Sequence, residues 1–380
     1  MIKFRSFVNI FSGEVLFKVF NLGTIFVLSL LPDPALLITF AIVNSLIVLI
    51  FDTTNNYFLH NCVNLKEPLN IYIFFILLLG IFFGISFSVL EGWSLEVLCL
   101  ISMALTFSIF NFIRTDFQLV GDFSSMAKLS VVRSVPPFIL AVVIYFTGLS
   151  STVYFFGGIT LFNIAILFLY LPNVNRIFSV NVTKPLTSRN LNFPIMSYLI
   201  ALSIFSQLDF LVLSRMFNDT ELTLIVIVLR LVSIPIIFIT AANSVILPFI
   251  EKDRKSTETK KMIVFITIFS LLVSGIGMFL LPVLIESASS IDGVYFGIIV
   301  LFTILGTLNI ERANRLLSNG FHKTMVLFFI TSIILKVLII YLGYIMDFSA
   351  IITLTISLPI GLVILNFLIW KLHETEYSFS

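Results

Sequence analysis

Residues 222–238, LTLIVIVLRLVSIPIIF, form an apolar run holding one arginine, and Arg230 has no carboxylate within four residues on either side. A guanidinium stays protonated at any ordinary pH. Lys18, Asp209 and Lys336 also sit in apolar surroundings. An ionised side chain at the centre of a bilayer costs about 2.5–3.5 kcal/mol on insertion scales. Each of these groups therefore needs a partner, a water-filled cavity or an escape to the interface.

Spacing narrows the options without closing them. Lys18 lies about 9 Å into its apolar segment. It either snorkels to the nearby interface or joins Glu14 and Asn21, at i−4 and i+3, on one wet helix face. Arg230 lies about 13 Å below the other edge. It snorkels in part, or faces water along with Ser233, Thr240 and Ser244 at helical spacing. Lys336 is too central to reach either interface, with Ser332 one turn earlier; an inter-helix ion pair and a cavity lining both fit it. Asp209 is the only acid well inside an apolar segment. Arg230 lies at similar depth on the next segment, so an Asp209–Arg230 bridge is one option. Exchange of a proton or of substrate charge is the other. Three cations against one acid suit an anionic cargo, because Arg offers phosphate and carboxylate a bidentate fork.

Other chemistry finds no residues to carry it. Cys62 and Cys99 are far apart, and His60, His322 and His373 show no metal-ligand spacing. No metal, no cofactor and no nucleic-acid partner are expected. The chain is 59% hydrophobic and only 11% charged, with a mean hydropathy of +1.14; soluble domains carry about 25% charged residues. The apolar runs do not alternate with polar residues, which excludes a transmembrane barrel. An all-α integral membrane protein remains. The N-terminal stretch lacks a compact apolar core with a small-residue cleavage site, so the first apolar segment is expected to stay as a membrane span.

About twelve transmembrane helices are expected, at 12–31, 35–54, 70–90, 94–114, 129–148, 152–172, 193–214, 222–249, 262–283, 293–310, 324–346 and 349–370. With both termini cytoplasmic, nearly all Lys and Arg of the connections and span ends face the cytoplasm, including Arg114, Lys128, Arg133 and the Lys252–Lys261 run. The opposite loops carry only Arg215, with acids such as Asp33, Glu91, Asp219 and Asp347. This is the positive-inside pattern. The outer loops are too short to hold an enzyme's catalytic domain, so a non-enzyme is expected.

The longest connection, near residues 173–192, divides the chain into an N-terminal six-helix lobe at 1–172 and a C-terminal one at 193–380. The lobes share a short echo. FVLSLLPDPALLITF begins at Phe26 and LVLSRMFNDTELTLIV at Leu211. With one inserted residue, Ser29 aligns with Ser214 and Asp33 with Asp219. Parallel repeats of this kind are a transporter signature.

The stretch FSQLDFLVLSRMFNDTELTLIVIVLRLVSIPIIFITAANSVILPFI resembles the seventh-to-eighth span region of the O-antigen and capsule polysaccharide flippases. GEVLFKVFNLGTIFVLSLLPDPALLITFAIVN is similar to their first two spans. That family belongs to the superfamily of multidrug and toxic-compound exporters and lipid II flippases. The resemblance implies two six-helix lobes around a central cavity. It implies transfer of an undecaprenyl-diphosphate-linked oligosaccharide, an O-antigen or capsule repeat unit, from the inner to the outer leaflet of the bacterial cytoplasmic membrane by alternating access. Lys18, Arg230 and Lys336, with Asn21, are then the cavity residues for substrate, and Asp209 couples an ion or holds Arg230. Membrane lipid, a polysaccharide polymerase and other assembly proteins are the implied partners. An ion-coupled multidrug exporter of the same fold is the alternative. The chain departs from the family in its shorter loops and in lacking the two further spans usual in lipid II flippases.

Overall fold

In a computed structural model, residues 4–47, 94–149, 151–173, 193–218, 221–229 and 319–377 are described continuously, with isolated positions between 49 and 81 and between 264 and 317. The described residues form an all-helical chain. Its named helices are α1 (Phe4–Ser29), α2 (Ala35–Ile47), α3 (Leu95–Val120), α4 (Phe123–Thr147), α5 (Thr152–Leu169), α6 (Phe193–Met216), α7 (His322–Ile345) and α8 (Ala350–Tyr377). Among the described residues six helices, α3 to α8, are long and apolar enough to cross a membrane. The expected spans at 70–90, 222–249, 262–283 and 293–310 fall largely outside the described residues.

The helix ends follow from local chemistry. Ser94 accepts from the Val97 amide at 3.2 Å and opens α3. Asp122 accepts from the Ser125 amide at 3.1 Å and opens α4. Between them Gly121 takes φ 79°, and Asp122 N–H reaches back to the Phe117 carbonyl at 2.9 Å. This is the left-handed stop in which a main-chain amide satisfies an orphan carbonyl. The same motif recurs at Asp347, φ 57°, where Phe348 N–H donates to Gly343 O at 2.9 Å between α7 and α8. Because α3 and α4 are capped outside their apolar runs, both extend beyond the spans expected from hydropathy.

The chain divides into two compact units, Met1–Leu199 and Ile200–Ser380. In the first, α1 packs chiefly along α4. A Cβ at Gly13 would lie 2.5 Å from the Ala127 Cβ, and one at Gly23 would lie 2.8 Å from the Phe138 ring. Both numbers rise together, so the helices run parallel, and close approach through glycine is how helices gain contact where lipid supplies no hydrophobic drive. α3 and α5 are also parallel: Thr160 Oγ1 reaches the Cys99 carbonyl at 3.4 Å, and Asn163 Nδ2 donates to Thr106 Oγ1 at 3.2 Å.

In the second unit, α7 and α8 form an antiparallel hairpin. A Cβ at Gly343 would meet Thr353 Oγ1 at 2.5 Å. Phe205 on α6 meets Phe329 on α7 edge to face at 5.5 Å. The exposed apolar surface of each unit suits lipid: Phe146 of the first is 79% exposed and Ile345 of the second 60%.

Both echo segments become a helix end, a turn and a new helix. Ser29 and Ser214 each donate to the carbonyl three residues back, at 2.7 and 3.0 Å. Asp33 then accepts from the Ala35 amide at 2.9 Å, and Asn218 from the Glu221 amide at 3.0 Å. Asn218 thus carries the capping role; Asp219, the aligned acid, lies outside the described residues.

Candidate functional site

α6 and α7 run parallel in the second unit and bring Asp209 and Lys336 together, 127 residues apart in sequence. Lys336 Nζ donates to Asp209 Oδ2 as an ion pair. It donates also to the Phe205 carbonyl at 3.1 Å and stands 4.2 Å from the centre of the Phe205 ring. Lys336 and Asp209 are each 2% exposed. The lysine stem crosses α8 at Gly361, where a Cβ would lie 2.5 Å from Lys336 Cγ and 2.6 Å from Cδ. Glycine is the residue that lets the stem lie against the α8 backbone.

A buried pair of this kind gains little over apolar replacement, but removing one partner costs about 3–5 kcal/mol. Among the described residues, the buried polar atoms without a hydrogen-bond partner include Asp209 Oδ1 and, one turn before Lys336, Ser332 Oγ.

The first unit holds a second buried cation. Arg133 lies ten residues into α4, about 15 Å along the axis, and is buried. Its guanidinium donates to Asn111 Oδ1 on α3. It lies 4.5 Å from the Phe17 ring of α1 and 6.0 Å from that of Phe107 on α3. Aromatic faces stabilise a desolvated cation by about 2 kcal/mol. Further along α3, Asn163 of α5 bonds Thr106, whose hydroxyl donates back to the Met103 carbonyl at 2.8 Å.

The sequence-predicted residues are distributed as follows. Asp209 and Lys336 come together, so the bridge considered for Asp209 and Arg230 is made instead with Lys336. Arg230 lies outside the described residues. Asn21 sits half-buried on α1, one turn beyond Phe17. Of Lys18 only the backbone within α1 is described. Arg133, counted with the cytoplasmic charges on hydropathy alone, is an interior residue. Its signal was the small polar pair Ser130 and Ser134 flanking it, both 1% exposed. Among the described residues no three metal-ligating side chains cluster.

No protein-family model matches the chain, and no curated protein matches it. Solved structures do. An outward-facing multidrug resistance MATE family transporter of the MOP superfamily superposes with a TM-score of 0.64 at 13% identity, over 99% of this chain and 95% of that one. The chain has the fold of these transporters. A Vibrio cholerae MATE transporter aligns with a TM-score of 0.60 at 13% identity, covering 99% of this chain and 96% of that one. A MOP superfamily transporter from Pyrococcus furiosus, described as having a binding pocket of reversed polarity, aligns at 0.59 and 13%, over 98% and 95% of the two chains. At this identity the likeness is one of fold, and the structures that share it are described as MATE or MOP superfamily transporters.

Proposed function

We propose that the chain is a multi-pass membrane transporter that exports organic compounds by alternating access. One observation carries this reading: the likeness to MATE transporters extends over 99% of the chain and 95% of the outward-facing multidrug transporter. The buried pair favours it over carriage of an anion. Lys336 was one of three cations expected to attract a diphosphate, and its charge is cancelled by Asp209. Expression in a drug-hypersensitive host, with dye efflux from loaded cells, tests the reading. Resistance and efflux are expected; unchanged sensitivity across cationic, neutral and zwitterionic compounds counts against it.

A second reading keeps the lipid-linked oligosaccharide as cargo, moved from the inner to the outer leaflet of a bacterial cytoplasmic membrane, with polymerase and assembly proteins as partners. The guanidinium of Arg133 inside the first unit favours it, since a buried arginine is the side chain best shaped for phosphate. Deleting the gene separates the two. Loss of surface glycan with unaltered drug sensitivity selects the flippase, and the reverse selects the exporter.

A further inference from the structure

The surroundings of Lys336 Nζ form a recognisable donor set. The amine touches a carboxylate oxygen of Asp209 and the main-chain carbonyl of Phe205, the latter at 3.1 Å. Asp209 Oδ1, on the same carboxylate, has no hydrogen-bond partner, nor has Ser332 Oγ one turn before Lys336 on α7. Asp209 is 2% exposed and Ser332 0%. Carboxylate and carbonyl oxygens are among the ligands a hard cation takes. Unpartnered buried oxygens are costly and demand a positive or donating neighbour.

We propose that this seam between α6 and α7 is a monovalent-cation site whose ion is supplied by the chain itself, the Lys336 ammonium standing where a free sodium ion would bind. The ammonium carries the same single charge and is tethered by a stem that Gly361 lets through. Asp209 is neutralised without drawing an ion from solution, so the second unit has no free monovalent ion to bind or release at this seam. The inference goes beyond the exporter reading and is independent of the cargo.

Lys336→Met tests it. Methionine fills the stem's path over Gly361 and vacates only the ammonium position. The full chain is purified in detergent, and its melting temperature is measured in sodium, potassium and choline chloride at equal ionic strength. K336M is expected to melt about 2 °C or more higher in sodium than in choline, as binding to the folded state requires. Wild type is expected to melt alike in all three salts. The double variant K336M/D209N, which lacks the carboxylate, is expected not to respond. A K336M protein indifferent to sodium and potassium overturns the proposal, as does a wild type that sodium itself stabilises. Should K336M fail to accumulate in sodium-rich medium while K336M/D209N does, the vacated position takes no free ion and the proposal fails equally.

Discussion

Adding one methyl group at Gly361 should damage the second unit through Lys336. A Cβ there lies 2.5 Å from Lys336 Cγ and 2.6 Å from Cδ. Carbon atoms in contact prefer about 3.5–4.0 Å, so the shortfall is about 1 Å. If the stem swings away, it leaves its rotamer at a cost of about 0.5–1.5 kcal/mol. The amine moves with it, and an extra ångström on the 3.1 Å bond to Phe205 O takes that bond out of range. If α7 and α8 separate instead, the Gly343–Thr353 contact further up the hairpin loosens too. Overpacking of this size costs about 1–3 kcal/mol. Gly361→Ala should therefore lower stability by about 2 kcal/mol in the wild-type background. In a K336A/D209N background the clashing atoms are gone and the cost should fall to a few tenths of a kcal/mol. Equilibrium unfolding of the four proteins in mixed micelles closes the cycle. Equal cost in both backgrounds would refute the steric reasoning.

Three further outcomes follow from the same geometry. Asp209→Asn leaves the buried Lys336 ammonium unpaired and should cost about 3–5 kcal/mol, whereas D209N/K336M should lie close to wild type; thermal unfolding followed by size-exclusion chromatography reads both. Arg133→Lys should recover little of what Arg133→Ala loses, because a compact ammonium cannot stack on Phe17 while bonding Asn111; the same melting assay on both variants checks this. At the turn between α3 and α4, hydrogen bonds from Ser125 to the Asp122 carboxylate hold its pKa below the usual carboxylate range. A lowered folded-state pKa contributes stability above the unfolded value near 4 and loses it as pH falls through the folded value. Asp122→Ala should thus cost about 1 kcal/mol at neutral pH and nothing at the acid end, measured by hydrogen exchange in the first turn of α4.

Much of the helix pattern was readable because membrane spans announce themselves by length and apolarity. The expected 193–214 and 324–346 became Phe193–Met216 and His322–Ile345. The expected 94–114 fell short of Leu95–Val120 because the helix ends at the left-handed Gly121, a backbone signal hydropathy does not weigh. The burial of Lys336 and Asp209 was legible, since neither has an interface within easy reach. Their pairing was not. It depends on which face α6 turns to α7, and nothing local to either helix encodes a register across 127 residues. Arg133 was misplaced for a related reason. Near the end of an apolar run a cation reads as interfacial unless the neighbouring helix, here with Asn111, is known to cover it.

The distance in sequence between Asp209 and Lys336 also sets a timetable for biogenesis. Ribosomes add roughly 5–20 residues per second, so these 127 residues take roughly 6–25 seconds to make. Throughout that interval α6 must wait with an uncompensated acid, either held at the edge of the bilayer or shielded by the insertion machinery. A nascent chain stalled before α7 never receives its counter-charge, and cellular quality control would meet it as a helix unfit to remain in lipid.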